Sequence, residues 1–449
     1  MPRLSEDLAD RARAVLERNR RGSWTCPSSR LYPHQWLWDS CFIAIGLARY
    51  DPDRAASELR ALFRGQWRNG MLPHIIFGDG RHDLGSRRIW NSKKNPHAPR
   101  DVDTSCITQP PLAAIAVVRV AETLPGPNRQ EFLAELFPKL VAYHTWLYEE
   151  RDPHNRGLVT LIHPWECGLD TTPPWMQALR GMPVPWWLRL ATRLRLVHVV
   201  HYLRTDTRYL PAAQRASDDD GLRMLVLATR ARRHQFQLER MPPRTSVLIE
   251  DLPFNAMLAA ANRSLERVAR ELDTPLPPAL QARFELTDAA LDVLWDEASG
   301  QYYSRDAVTG VLLTASTVAT FLPLWSASPA RSKAERLIAQ LQDPAGFWPR
   351  HPVPSVPLDD PEFEPARYWK GPTWVNVNWI LVECLREYDH LELARELRRQ
   401  TLALVDQGGF SEYFSPLTGE GYGAEDFSWT AALAIDLLAP DSPRPVTPQ

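Results

Sequence analysis

A chain of 449 residues with 44% hydrophobic content can bury one large core or two ordinary ones, so length alone does not divide it. Lys plus Arg (52) nearly balance Asp plus Glu (54), and the chain has neither a GxxxxGKS/T loop nor a GxGxxG turn, which sets aside nucleic acids and nucleotides as partners. Its five cysteines are odd in number, widely spaced and without a CxxC pair, which argues against a disulfide framework and a structural zinc site and fits a reducing cytoplasm.

In chain order, the N-terminal stretch Met1 to Gly22 is charged and amphipathic, lacks the apolar centre of a secretory signal, and reads as a helix near 4 to 18. With no later run of 18 apolar residues, the chain reads as full length and cytosolic. Tyr32 to Asp39 (YPHQWLWD) sets two tryptophans and a carboxylate at the start of a helix over 38 to 50, and another helix covers 55 to 66. Thr104 to Gln109 leads through Pro110-Pro111 into a helix over 111 to 124, where Leu112, Ile115, Val118 and Ala121 keep three- and four-residue steps; a further helix covers 130 to 149. Asp152-Pro153 marks a turn before the apolar pair Leu158-Val159, and His163 to Asp170 (HPWECGLD) runs into a loop rich in Thr, Pro and Trp.

Helices follow near 186 to 203, 220 to 238, 252 to 272 and 279 to 296, then a hairpin from Asp296 through Gly300 to Tyr302-Tyr303. Helices near 315 to 326, 331 to 342, 372 to 388, 391 to 406 and 427 to 438 complete the chain, with a hairpin at Ser415-Pro416 to Gly419. Helix pairs punctuated by hairpins suit an all-α toroid, because each pair buries its apolar face only against its neighbours. The expectation is one domain over 1 to 449 with a cap-like insertion around 171 to 220, its loops gathered at one end of a ring of helices.

The chemistry-bearing residues fall in those loops. Seventeen Trp and 40 Pro suggest structured loops with flat apolar surfaces that stack on sugar rings, although tryptophan also fills cores. Asp39 between aromatics suits sugar hydroxyls as an acceptor, and equally suits a helix N-cap. A carboxylate among Trp165, Leu169 and Trp175 would be poorly solvated when charged, which raises its pKa and makes it a proton donor; Asp170 and Glu166 both fit. Glu412 lies between aromatics with glycines on either side, whereas Glu420, Glu425 and Asp426 read as solvated turn residues. Arg367 to Trp374 (RYWKGPTW) offers aromatics and donors at another helix start.

Taken together, YPHQWLWDS, GMLPH, TSCITQPP, HPWECGLD, PSV, YWKGPTW, EYF with TGEGYGA, and FSWTAAL, in this order from Tyr32 to Leu438, make the chain resemble glycoside hydrolase family 63 in its small bacterial form, the mannosylglycerate and glucosylglycerate hydrolases. The resemblance implies an (α/α)6 barrel and inversion at the anomeric carbon, with Asp170 as general acid and Glu412 as general base. It places sugar binding on Tyr32, Trp36, Trp38, Asp39, Gln109, Tyr368, Trp369, Gly371 and Trp374. Inversion calls for carboxyl groups roughly 6.5 to 9.5 Å apart, leaving room for a water. No metal or organic cofactor is implied, the partner is a small α-glucoside or α-mannoside, and a homo-oligomer is compatible with it.

Two segments depart from the pattern. Relatives that act on glycerate glycosides follow the acid with Asn-Ser-Pro-x-Trp-Asp, where this chain has Thr171-Thr172-Pro173-Pro174-Trp175-Met176, and the arginine segment that closes on glycerate is matched only in part by Arg215-Ala216-Ser217-Asp218. From Thr171 to Thr205 there is no carboxylate, while Arg180, Arg189, Arg193, Arg195 and Arg204 alternate with apolar residues. That stretch reads either as a helix packed on the barrel or as a basic lid favouring an acidic aglycone such as glycerate. Other readings are an oligosaccharide α-glucosidase or trehalase-like enzyme, and a noncatalytic sugar-binding protein on the same fold; a zinc-dependent α-toroid enzyme lacks a suitably placed Cys-His pair.

Overall fold

The computed structural model describes residues 2–78, 87, 89–186 and 209–440. Six helical segments pack each on the next in a closed ring: Leu37–Ala48, Ala113–Ala121, Leu252–Glu271, the 3-10 helix Val318–Ser326, Val375–Glu387 and Ser428–Leu438, which returns to Leu37–Ala48. A second layer surrounds them, with Pro2–Arg18, Pro52–Arg64, Gly126–Arg151, Pro278–Leu291, Arg331–Leu341 and Leu391–Gly408 each set against an inner neighbour. This is an (α/α)6 barrel.

Residue type decides the layer. Every residue of Leu37–Ala48 is buried, as an inner helix covered on all sides requires, whereas Pro52–Arg64 carries an apolar stripe of Ala55, Leu59 and Leu62 under a charged outer face. Short antiparallel pairs decorate the connections: Gln35–Trp36 with Ile75–Ile76, Trp295–Asp296 with Gln301–Tyr302, and Tyr413–Phe414 with Gly421–Tyr422. Thr373 bridges both Pro354 and Phe414, so the loops entering the last two inner helices are tied together.

Some expected elements differ. The strand after Asp152 is Thr160–Leu161, and it pairs with Ile249–Glu250, itself paired with Arg305–Asp306, so the pairing is long-range and not a local hairpin. Of the helix expected at 315 to 326, Val318–Ser326 forms and is 3-10, with Pro323 inside it denying the α pattern a donor. The helix expected to reach 238 stops at Arg233, because Gln235 and Phe236 take left-handed backbone (φ 59 and 57). The Thr- and Pro-rich loop after Asp170 contains a helix, Pro173–Gly181: Thr172 sits at its N-cap position and the proline pair occupies the first turn, where a missing N–H costs nothing. It packs on Asp218–Arg233, with Arg180 3.4 Å from Asp220. The helix expected near 186 to 203, with Arg189, Arg193 and Arg195, and Arg204 just after it, lie outside the described residues beyond Trp186.

All five cysteines are buried and unpaired. Among the described residues no helix is long and apolar enough to cross a membrane, and no group of three His, Cys, Asp or Glu residues is arranged to hold a metal ion.

Candidate active site

Glu412 immediately precedes the strand Tyr413–Phe414, and the hairpin folds back so that its backbone N–H donates to the Ala424 carbonyl (2.9 Å) while the Ala424 N–H donates to Oε2 of its carboxylate (2.9 Å). The close return needs Gly423: its φ is +73°, and a Cβ there would lie 2.5 Å from Glu412 Oε2. The other carboxylate oxygen accepts from the Tyr32 hydroxyl (2.9 Å) and lies 3.5 Å from Arg215 Nη1. Arg215 Nη2 also donates to the Tyr32 hydroxyl (2.7 Å), and its guanidinium sits 4.3 Å from the Tyr368 ring centre. Burial raises the Glu412 pKa, while Arg215, the Ala424 N–H and the Tyr32 hydroxyl pull it back down.

Asp170 closes the loop that begins at His163. Gly168, at φ +78°, lets that loop lie on Trp38, whose ring a Cβ would meet at 2.8 Å. The next residue on, Thr171, accepts from the Trp369 N–H through its hydroxyl (3.3 Å). Asp170 keeps part of its surface accessible, yet surrounding protein pushes its pKa up to about 8; Arg215 opposes this and the charge of Glu412 adds to it. Asp39 is buried in the first turn of Leu37–Ala48 and is also held well above the carboxylate range, by burial first and then by Glu412 and, further down, Asp170. The N-cap position there is Trp36, so Asp39 does not cap the helix. Three carboxyls, one from a helix start and two from loops, therefore feel one another's charge.

The aromatic residues form a packed floor. Trp369 and Trp374 stack at 3.7 Å, Trp38 packs edge-on against Trp429 (5.1 Å) and tilted to Trp369 (6.3 Å), and Tyr368 touches both Trp374 and Tyr413. Trp38, Trp369 and Trp374 are at most 3% exposed, so their rings fill the core as well as shaping the site. Trp36 lies edge-on to Tyr32 (5.6 Å) and to His74 (4.7 Å). The indole N–H groups of Trp36 and Trp369 are buried without a protein acceptor. Gln109 reaches the same floor, accepting from the Trp38 N–H at 3.4 Å. Gly371 donates to Ser355 Oγ (2.8 Å), and a side chain there would run into the Glu364 carbonyl.

The rival carboxylates stand elsewhere. Glu166 is fully buried in an ion pair with Arg151 (2.7 Å) and accepts from the Ile162 N–H (2.8 Å), which fixes the loop and leaves it no open face. Glu420, Glu425 and Asp426 are exposed, Asp426 pairing with Arg18 at 2.8 Å. One neighbour of Glu412, Gln214, falls outside the residues that motif reading selects, while Arg215, from the segment matched only in part, lies beside Glu412. Gln214 accepts from the Tyr413 hydroxyl through its carbonyl (2.5 Å) and from the Gly423 N–H through its side chain (3.1 Å), so the segment before Asp218–Arg233 is fastened to the Glu412 hairpin.

Comparison with known proteins bears on this arrangement. Residues 32–430 match the family described as the mannosylglycerate hydrolase MGH1-like glycoside hydrolase domain. The chain is 40% identical to mannosylglycerate hydrolase of Thermus thermophilus over 94% of its own length and 98% of the relative's. It is 34% identical to glucosylglycerate hydrolase of Mycolicibacterium hassiacum, over 96% and 97% respectively. The crystal structure of a GH63 mannosylglycerate hydrolase from Thermus thermophilus in complex with Tris and D-glycerate superposes with a TM-score of 0.86 at 38% identity, covering 95% of this chain and 99% of that one.

Proposed function

The chain belongs to the MGH1-like glycoside hydrolase family, and from that premise we propose that it hydrolyses an α-glucoside or α-mannoside of glycerate with inversion, Asp170 acting as general acid and Glu412 as general base. The observation that carries the assignment is the asymmetry between the two carboxyls. Burial raises both, but Glu412 has Arg215, the Ala424 N–H and the Tyr32 hydroxyl to hold its charge, whereas Asp170, with Arg215 opposing and Glu412 adding, is pushed up to about 8, which favours the proton-carrying form of a general acid. Two carboxyls in one site, one with more partners for its charge than the other, divide acid and base work in this way. Asp170 delivers its proton to the glycosidic oxygen while Glu412 takes one from the attacking water.

Tyr32, Trp36, Trp38, Asp39, Gln109, Tyr368, Trp369, Gly371 and Trp374 surround the sugar in this reading, with the unpartnered indole N–H groups of Trp36 and Trp369 offering donors to its hydroxyls. Arg215 supplies positive charge for a carboxylate aglycone. Names of relatives favour glycerate glycosides on both sugars. The test is turnover of α-glucosylglycerate, α-mannosylglycerate, trehalose and kojibiose by the parent, Asp170→Asn and Glu412→Gln. The glycerate glycosides should be preferred and both variants should lose activity; a preference for the neutral disaccharides, or full activity in either variant, overturns the proposal.

A further inference from the structure

A second pocket, of about 480 Å³, lies between the segment Trp90 to Pro96 and the turn that follows Asp218–Arg233. Its apolar wall is Trp90 and Phe236, whose ring centres are 5.5 Å apart. Trp90 packs on the ring of His74 (6.0 Å), His74 on Trp36 (4.7 Å) and Trp36 on Tyr32 (5.6 Å), so a succession of aromatic rings links this pocket to the Glu412 site.

The polar lining is one-sided. Lys94 and Arg232 contribute cations, and no carboxylate lines the pocket among the described residues. The Asn95 side-chain oxygen already accepts from the His97 N–H (3.0 Å), and that of Gln235 from Arg240 (2.8 Å), so what each of these lining amides has left to offer a ligand is chiefly its NH2 donor. Asn91, Gln235 and Phe236 hold left-handed backbone at its edge, a conformation that side-chain-bearing residues adopt rarely and that concentrates where a binding surface is shaped. Amide donors beside a lysine suit an anionic acceptor, and aromatic rings in a pocket wall suit the C–H face of a sugar.

We infer that this pocket is a second carbohydrate site, specific for a sugar that carries a carboxylate or a phosphate. Lys94 and the two amides hold the anionic group, and Trp90 with Phe236 hold the ring. The inference is independent of the roles assigned to Asp170 and Glu412.

Isothermal titration of the full chain, with excess glucose present to occupy the sugar site beside Glu412, tests it with D-glucuronate and glucose 6-phosphate as separate titrants. One molecule per chain should bind; the tighter of the two identifies the anion. Because Lys94 is exposed, Lys94→Glu folds as the parent does, and it should weaken binding by about tenfold or more, the scale of one hydrogen bond to a charged group. Glycoside turnover by that variant stays at the parent rate. Binding of neither anion under excess glucose, or equal binding by Lys94→Glu and the parent, refutes the site.

Discussion

Replacing Tyr32 with Phe removes one hydroxyl and tests how the base is held. That hydroxyl donates to Glu412 Oε1 at 2.9 Å and accepts from Arg215 at 2.7 Å. A hydrogen bond to a charged group contributes about 1.5 to 3 kcal/mol, and one pH unit corresponds to about 1.4 kcal/mol. Arg215, already 3.5 Å from the same oxygen, closes on it once the hydroxyl is gone, which favours the lower figure. Because the hydroxyl stabilises the ionised carboxylate, its loss raises the Glu412 pKa. The acidic limb of the kcat/KM profile, where the base must be deprotonated, should move up by about one pH unit. The alkaline limb, set by Asp170 near 8, should stay in place. The assay is the pH dependence of kcat/KM on the preferred glycoside for parent and variant. An acidic limb that does not move, or an alkaline limb that moves instead, refutes the assignment of Glu412 as the base.

Other consequences are equally direct. Gly423→Ala forces a Cβ against Glu412 Oε2 from a left-handed backbone, and should cut kcat by about a hundredfold with an unchanged far-UV circular dichroism spectrum. Arg151→Met leaves Glu166 buried and uncompensated, which should cost about 3 to 5 kcal/mol in urea denaturation. Glu58 is buried beside Ser40 and Gln35, and desolvation raises its pKa from 4.5 to about 7. A group raised on folding contributes stability below its unfolded pKa that is lost as pH climbs through the folded value. Stability should therefore fall by about 3 kcal/mol from pH 4.5 to about 7 on this account alone, and Glu58→Gln should flatten that fall in a denaturation series across pH.

The ring of helices is legible because apolar periodicity and proline starts are local signals. The loops that hold Tyr32, Gln109, Trp374 and Glu412 are legible for a related reason: each ends where an inner helix begins, and glycine or proline marks the junction. What the sequence leaves open is decided at long range. Glu166 and Asp170 share one segment, and only Arg151, brought alongside at the end of a 26-residue helix, separates the buried ion pair from the perturbed acid. Arg215 stands in a segment that matches the glycerate-closing arginine only in part, and its place beside Tyr32 and Glu412, 183 and 197 residues away in the chain, is decided by folding. The tryptophans carry both readings at once: Trp38, Trp369 and Trp374 are core residues by burial and site residues by position. The helix Pro173–Gly181 hides behind a proline pair that resembles a loop when its N-cap is not weighed.

The stereochemistry of the product tests the central pairing most directly. Proton NMR during the first minutes of hydrolysis of an α-glycoside of glycerate should show the β-anomer of the free sugar appearing first, with the α-anomer arising only by mutarotation. First appearance of the α-anomer would mean that Glu412 does not activate water opposite Asp170, and the account of the site would fall.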